Sequence, residues 1–195
     1  GDHTYFDEGH ARESARLAMA VLDSVGWQAA WGDHSGLMNT SGMGQMLQKI
    51  AWYYQDPEIL WITEFAGGGR TNLGQPYPCE FEPQRPELEQ VMTVDLPVQH
   101  YDYLDHFPVY PTEPNVPFED SFDKLTLRES WEEDGQYLLL DGYGRGTHMH
   151  FDANAIIRFT AGGVPLLVDG EYIKNRPKYH SSMVIIRNGQ SVNTP

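Results

Sequence analysis

The chain has 195 residues with 28 acidic and 13 basic side chains, and its net charge of −15 argues against nucleic acid as a partner. A single cysteine, Cys79, excludes an internal disulfide framework. No apolar run approaches the ~20 residues needed to cross a bilayer, so a membrane is not expected as a partner either.

Residues 1–66 are predicted to be helical. Apolar side chains recur at helical spacing over 11–25 and 44–54, and a third short helix is predicted over 58–65. Three short amphipathic helices bury little apolar surface by themselves, so we interpret them as part of a larger helical array. At helical spacing, the tryptophans of this part are interpreted as core residues rather than sugar-stacking ones; they are Trp27, Trp31, Trp52 and Trp61.

Residues 67–123 are predicted to be a connector that is rich in proline and acidic residues. Proline and turn residues favour extended chain over a surface, with one strand predicted over 91–98. The aromatic side chains between Tyr101 and Tyr110 indicate that the connector packs against another part of the protein.

Residues 124–195 are predicted to be β-structure. Short apolar or alternating runs are separated by Asp-Gly, Gly-Gly and Asn-Gly pairs, a spacing typical of an antiparallel sandwich or barrel. The Asn188-Gly189 pair predicts a hairpin whose return strand has barely begun at Pro195, and the chain starts at Gly1 rather than Met. We therefore expect a fragment that holds parts of two domains.

The same region contains the residues that predict a metal site. His148 and His150 are two apart and so project from one face of a strand, while Asp169 ends a further strand and His180 follows it. Two imidazoles and one carboxylate are a ligand set that suits zinc. The alternative is that each histidine is an ordinary surface or hydrogen-bonded core residue.

Several of these segments resemble the heparinase II/III family of polysaccharide lyases, which includes alginate and oligoalginate lyases. The resemblance is carried by residues 146–154 (GTHMHFDAN), 162–169 (GGVPLLVD) and 179–184 (YHSSMV), and residues 124–131 and 137–142 also fit. It implies an α+β multidomain fold, with the C-terminal end of an α/α toroid in 1–66 and the start of an antiparallel β-sandwich in 124–195.

The resemblance also implies cleavage of a uronic-acid polysaccharide by β-elimination. His148 matches the family's histidine at the catalytic centre, and Tyr172 is a candidate for a tyrosine near the substrate, with Tyr179 as its competitor. The family's structural zinc has ligands that match three residues of this chain, namely His150, Asp169 and His180. The family's catalytic toroid residues do not map onto this chain.

Basic residues flank the histidine cluster and are candidates for binding substrate carboxylates, with solvated loop charge as the alternative; they are Arg145, Lys174, Arg176 and Lys178. Residues 145–195 hold 6 basic and 3 acidic residues, whereas 1–144 hold 7 and 25. The local positive charge favours an anionic polysaccharide as the partner. The resemblance implies a secreted or periplasmic location, and a homo-oligomer is left open.

Two other functions compete with the lyase. The β-region can serve as a non-catalytic carbohydrate-binding or accessory domain in which zinc only stabilises the fold. The His-x-His pattern also occurs in cupin-type metal oxygenases, but there a glutamate follows about four residues after the second histidine. In this chain the acidic residue that follows His150 is Asp152, only two positions later, which is closer than the cupin pattern requires.

Overall fold

A computed structural model of the protein describes residues 3–29, 41–66, 77–88, 91–94, 124–142, 155–169, 180–181 and 186–191. Within these residues the helices are α1 (Thr4–Asp7), α2 (His10–Val21), α3 (Ser41–Tyr54) and α4 (Pro57–Phe65). The strands are β1 (Val91–Val94), β2 (Lys124–Arg128), β3 (Tyr137–Asp141), β4 (Ala155–Ala161), β5 (Val164–Val168), β6 (Ile186–Arg187) and β7 (Gln190–Ser191). The helices predicted over 44–54 and 58–65 are confirmed.

The helices pack around a core that combines alanines with larger aliphatic side chains and one tryptophan. Alanines on one face of α2 let α3 pack against it, and α4 packs in turn against α3. The buried members of this cluster are Ala11, Ala15, Ala18, Leu22, Leu47, Ile50, Ala51, Ile59, Ile62, Ala66 and Trp131. Asp56 caps α4, since its carboxylate accepts the amide N–H groups of Glu58 and Ile59 at 3.0 and 3.2 Å.

The prediction that the first helix continues to residue 25 is wrong. Helix α2 ends at Val21, and Leu22 is already extended and bridged to Gln28. The cause is Asp23, whose Oδ1 accepts the amide N–H groups of Val25 and Trp27 at 3.0 and 2.9 Å. A short polar side chain that satisfies the backbone in this way competes with the helix and ends it.

The strands β1 to β5 form one antiparallel sheet in sequence order. Its first strand, β1, comes from the predicted connector, so the sheet begins upstream of residue 124. The β4–β5 turn has positive φ at Gly162 and Gly163, 58° and 73°, and the β6–β7 turn has 54° at Asn188 and 76° at Gly189. Both pairs suit the two-residue turns that hairpins favour, and the hairpin predicted at Asn188-Gly189 is confirmed.

One face of the sheet, here called the inner face, binds the end of α2 through polar side chains. Tyr137 on β3 donates its hydroxyl to the Ala20 carbonyl at 2.6 Å, and Arg128 on β2 donates to the Leu22 carbonyl. Arg158 on β4 donates to the Gln28 carbonyl at 3.2 Å. The Ala20 carbonyl lies in the last turn of α2 and the Leu22 carbonyl at its C-cap. At a helix end such carbonyls have no amide of a following turn to bind. The sheet therefore supplies the hydrogen bonds that the helix end lacks.

A buried ion pair lies at the centre of this contact. Arg158 Nε is 3.7 Å from Asp23 Oδ2, and both side chains are fully buried. Burial raises the pKa of the Asp23 carboxyl, against the opposing effects of the Trp27 amide and the Arg158 charge. Burial also lowers the pKa of Arg128 to about 10. The inner face thus carries charge where an apolar layer is the usual choice.

A small apolar cluster joins the sheet to the segment that follows α2; its members are Ala29, Tyr137, Leu139, Ala155 and Ile157. In the part of the chain described above, β6 and β7 form a separate two-stranded sheet. These residues show neither a toroid nor a sandwich, so both stay predictions. None of the helices in these same ranges combines the length and apolarity that a bilayer crossing requires.

Replacing Arg158 tests how much the buried ion pair contributes to the stability of the fold. The change Arg158→Met removes the stronger of the two counter-charges that act on the buried Asp23 carboxylate, the other being Arg128. We expect a loss of about 3–5 kcal/mol in the free energy of unfolding, measured in urea. The matched control is Arg85→Met, which removes an exposed ion pair to Glu132 at 2.5 Å and should cost at most about 1 kcal/mol. Equal losses in the two variants would contradict the central role of the buried pair.

Candidate functional site

The candidate site lies where β5 ends beside β4. Asp169 follows β5 directly, and its amide donates to the Ile157 carbonyl at 2.8 Å. The amide of Ile156, one residue earlier on β4, donates to the Ser181 carbonyl at 3.0 Å. Because neighbouring residues of one strand bind both segments, Asp169 and His180 are brought side by side although 11 positions separate them in the sequence.

Asp169 and His180 form a close and buried pair. Oδ1 of Asp169 lies 2.7 Å from Nδ1 of His180, and the two side chains are only 5% and 3% exposed. The carboxylate favours a proton on Nδ1, which leaves the lone pair on Nε2. Nε2 is buried and has no hydrogen-bond partner among the described residues. A buried nitrogen with an unused lone pair requires a ligand or a donor.

A metal ion fits this nitrogen. A histidine that binds a metal usually donates its other ring N–H to a carboxylate or carbonyl, which fixes the ring and raises its basicity. The 2.7 Å contact is a hydrogen-bond distance, shorter than the roughly 3.3 Å between two ligand atoms on a tetrahedral zinc with bonds near 2.0 Å. The geometry therefore suits zinc at Nε2 of His180, with Asp169 accepting the hydrogen bond from Nδ1 on the other side of the ring. Direct ligation of the metal by Asp169 stays a prediction.

The remaining predicted site residues lie outside the described residues. They are the catalytic candidates His148 and Tyr172, the zinc ligand His150, and the basic candidates Arg145, Lys174, Arg176 and Lys178. Within the described ranges no group of three or more His, Cys, Asp or Glu residues is placed to hold a metal ion. Of the predicted ligand set, the structure thus brings together Asp169 and His180.

A second surface, which the sequence reasoning missed, lies on α3. Trp52 is 40% exposed, and its ring centroid is 5.4 Å from that of Tyr77. The Lys49 ammonium lies 5.8 Å from the Tyr77 ring centroid. The spacing of Lys49 and Trp52 on one helix face was visible in the sequence, but the approach of Tyr77 was not.

This surface corrects the interpretation of the tryptophans as core residues. Trp61 does pack against the helical core, stacked on Phe65 at 4.9 Å between ring centroids. Trp27 and Trp52 are each 40% exposed, so the core prediction is wrong for both. Trp31 lies outside the described residues.

Comparisons of the chain with protein-family models, with curated proteins and with solved structures gave no match. The likeness to heparinase II/III lyases therefore rests on the sequence segments quoted above. The structural features that bear on function are the geometry of Asp169 and His180 and the exposed surface on α3.

Metal analysis after dialysis tests the site. We expect about one zinc per chain, a lower melting temperature with chelator, and loss of the metal in His180→Ala. If Asp169 holds the His180 ring through its hydrogen bond and does not bind the metal itself, Asp169→Asn should weaken zinc affinity by about 10–100-fold rather than abolish it. The control is His10→Ala, which removes an exposed imidazole 3.3 Å from Glu8 and Glu13. A wild-type chain that holds no zinc and melts unchanged with chelator would contradict the metal site.

Proposed function

We propose that the protein is a polysaccharide lyase of the heparinase II/III type, which cleaves a uronate-containing polysaccharide by β-elimination and holds a structural zinc beside its sheet. The observation that carries the proposal is the contact between Asp169 and His180. The resemblance assigns both residues to one metal site. Their burial and the unused Nε2 agree with that assignment.

The reaction needs three groups. A base removes the proton from C5 of the uronate, the electron pair forms a C4=C5 double bond, and the C4–O4 bond breaks as an acid protonates the departing oxygen. Positive charge at the C5 carboxylate makes the C5 proton more acidic. In the proposal His148 and Tyr172 exchange protons with the substrate, and the cations at Arg145, Arg176 and Lys178 neutralise the carboxylate.

Zinc has a structural role in this proposal. Bound to His150 and His180, with Asp169 as ligand or as partner of the ring, it would cross-link the segment around His180 to the end of β5. The sugar chemistry is left to the side chains. The excess of positive charge in residues 145–195, 6 basic against 3 acidic, supports an anionic polymer as substrate.

The lyase proposal is tested by the ultraviolet absorbance of the unsaturated uronate that β-elimination creates. We expect the absorbance to rise when the protein is incubated with alginate, heparin or another polyuronate, and to stay flat with a neutral glucan. His148→Ala should slow the rise by about 10²–10⁴-fold, as for the loss of a general acid or base. His10→Ala should leave the rate unchanged, since that imidazole is exposed beside Glu8 and Glu13. No unsaturated product from any polyuronate would contradict the proposal.

A second candidate function is carbohydrate binding without cleavage, and the surface on α3 favours it. The exposed ring of Trp52 offers an apolar platform for the C–H face of a sugar, and Tyr77 extends it at 5.4 Å. Lys49 lies at the edge of this platform and can pair with a uronate carboxylate. An aromatic platform beside a cation suits an acidic sugar better than a neutral one.

Affinity electrophoresis in gels that contain a polyuronate or a neutral glucan tests this surface. We expect the polyuronate to retard the protein, and Trp52→Ala to weaken binding by about 3–10-fold. Trp27→Ala is a matched control, because Trp27 is also 40% exposed but has no ring contact within the described residues. Equal effects of the two changes would contradict a specific platform. Retardation without unsaturated product would favour binding over the lyase.

A further inference from the structure

Strand β4 carries one extra residue where it pairs with β3. The partner of Leu140 is Ile156, and the partner of the preceding Leu139 is Arg158, so Ile157 is the extra residue. Such an insertion is a β-bulge, which bends the strand and re-aims its side chains. Without it Arg158, two positions after the half-buried Ile156, would face the same side of the sheet as Ile156. With it, Ile157 and Arg158 are both fully buried.

The bulge also changes the edge of β4 to which its backbone groups point. In a regular strand the amide of one residue and the carbonyl of the next point to opposite edges. Here the amide of Ile156 donates to the Ser181 carbonyl at 3.0 Å. The carbonyl of Ile157 accepts the Asp169 amide at 2.8 Å. Both partners lie at the β5 edge, since Asp169 follows β5 and β3 occupies the other edge. The bulge therefore allows neighbouring residues of β4 to bind the segments that carry Asp169 and His180.

We propose that the ion pair between Asp23 and Arg158 locks this bulge, so that Arg158 is a positioning residue for Asp169 and His180. On the inner face its Nε is 3.7 Å from Asp23 Oδ2, and its guanidinium donates to the Gln28 carbonyl at 3.2 Å. A strand without the bulge would turn Arg158 to the opposite face. It would leave the buried Asp23 carboxylate without this counter-charge, which is costly.

A continuous run of contacts along β4 joins the buried pair to the candidate metal site. In chain order, residues 156–158 contact the segment of His180, the amide of Asp169 and the carboxylate of Asp23. The arrangement of Asp169 against His180 does not need the metal, whereas any effect on zinc affinity rests on the zinc site of the proposed function. If the ion pair favours the arrangement that binds zinc, zinc favours the ion pair by the same factor.

Proton NMR of the metal-free full chain tests the positioning directly. The proton on His180 Nδ1, 2.7 Å from Asp169 between the two heavy atoms, should give a downfield resonance that is absent from His180→Ala. We expect Arg158→Met to lose this resonance, because the released bulge no longer holds the two side chains together. The control Ile50→Ala removes packing from the helical core at a comparable cost in stability and should keep the resonance.

Zinc affinity, measured by competition with a chromophoric chelator, gives the second readout. We expect Arg158→Met to weaken zinc binding by about 10-fold or more and Ile50→Ala to leave it unchanged. If Arg158→Met does not fold, Arg158→Lys is used in both measurements. It keeps the charge but not the planar guanidinium that contacts Asp23 and Gln28, and it should weaken zinc binding by about 3-fold or more.

The two readouts distinguish a failure of Arg158 positioning from a failure of the zinc site. A wild-type chain that binds no zinc contradicts the metal site, and the NMR comparison then decides the role of Arg158. Folded Arg158 variants that keep the His180 resonance and the zinc affinity of the wild type overturn the positioning role. Equal losses in Ile50→Ala overturn it as well, because the effect then reflects stability alone.

Discussion

The fold depends on a polar contact, the one between the inner face of the sheet and the end of α2. Asp23 has two tasks at this point. One carboxylate oxygen ends the helix by accepting the amides of Val25 and Trp27, and the other faces Arg158 across the contact. Charges taken out of water are costly unless their partners are in place, so any arrangement that separates Arg158 from Asp23 while both stay buried is disfavoured. The two parts that the sequence divides into domains thus share one buried network.

Much of the secondary structure was predictable because its causes are local. The apolar spacing of α3, the Asp56 cap before Pro57 and the Asn188-Gly189 turn all act within a few residues. The end of α2 was not predictable, since apolar spacing continues to Val25 and only the Asp23 contacts override it. Those contacts span only two and four residues, so the helix end was missed although its cause is local, because apolar spacing does not show that the Asp23 side chain binds the backbone.

The sequence also could not show which face of the sheet is buried against the helices. The alternation over Lys124–Arg128 correctly predicts a strand, and the usual rule places its leucines inside. Here Arg128 faces inward instead, because the Leu22 carbonyl, 106 positions earlier, accepts its hydrogen bond. For the candidate site, spacing could nominate Asp169 and His180 but could not show that adjacent residues of β4 bind both segments.

The hydrogen bonds of the inner face also bear on how the chain reaches its native state. They join residues 106, 117 and 130 positions apart, and the Thr160–Asp23 bond spans 137. Contacts of such long range form late and slowly, because a large loop must close before any of them stabilises the chain. Until then Arg128 and Arg158 lack their partners while the leucines of the opposite face are also in water. The interval before closure is therefore the period in which this protein is most exposed to aggregation, and refolding yield should depend on chain concentration.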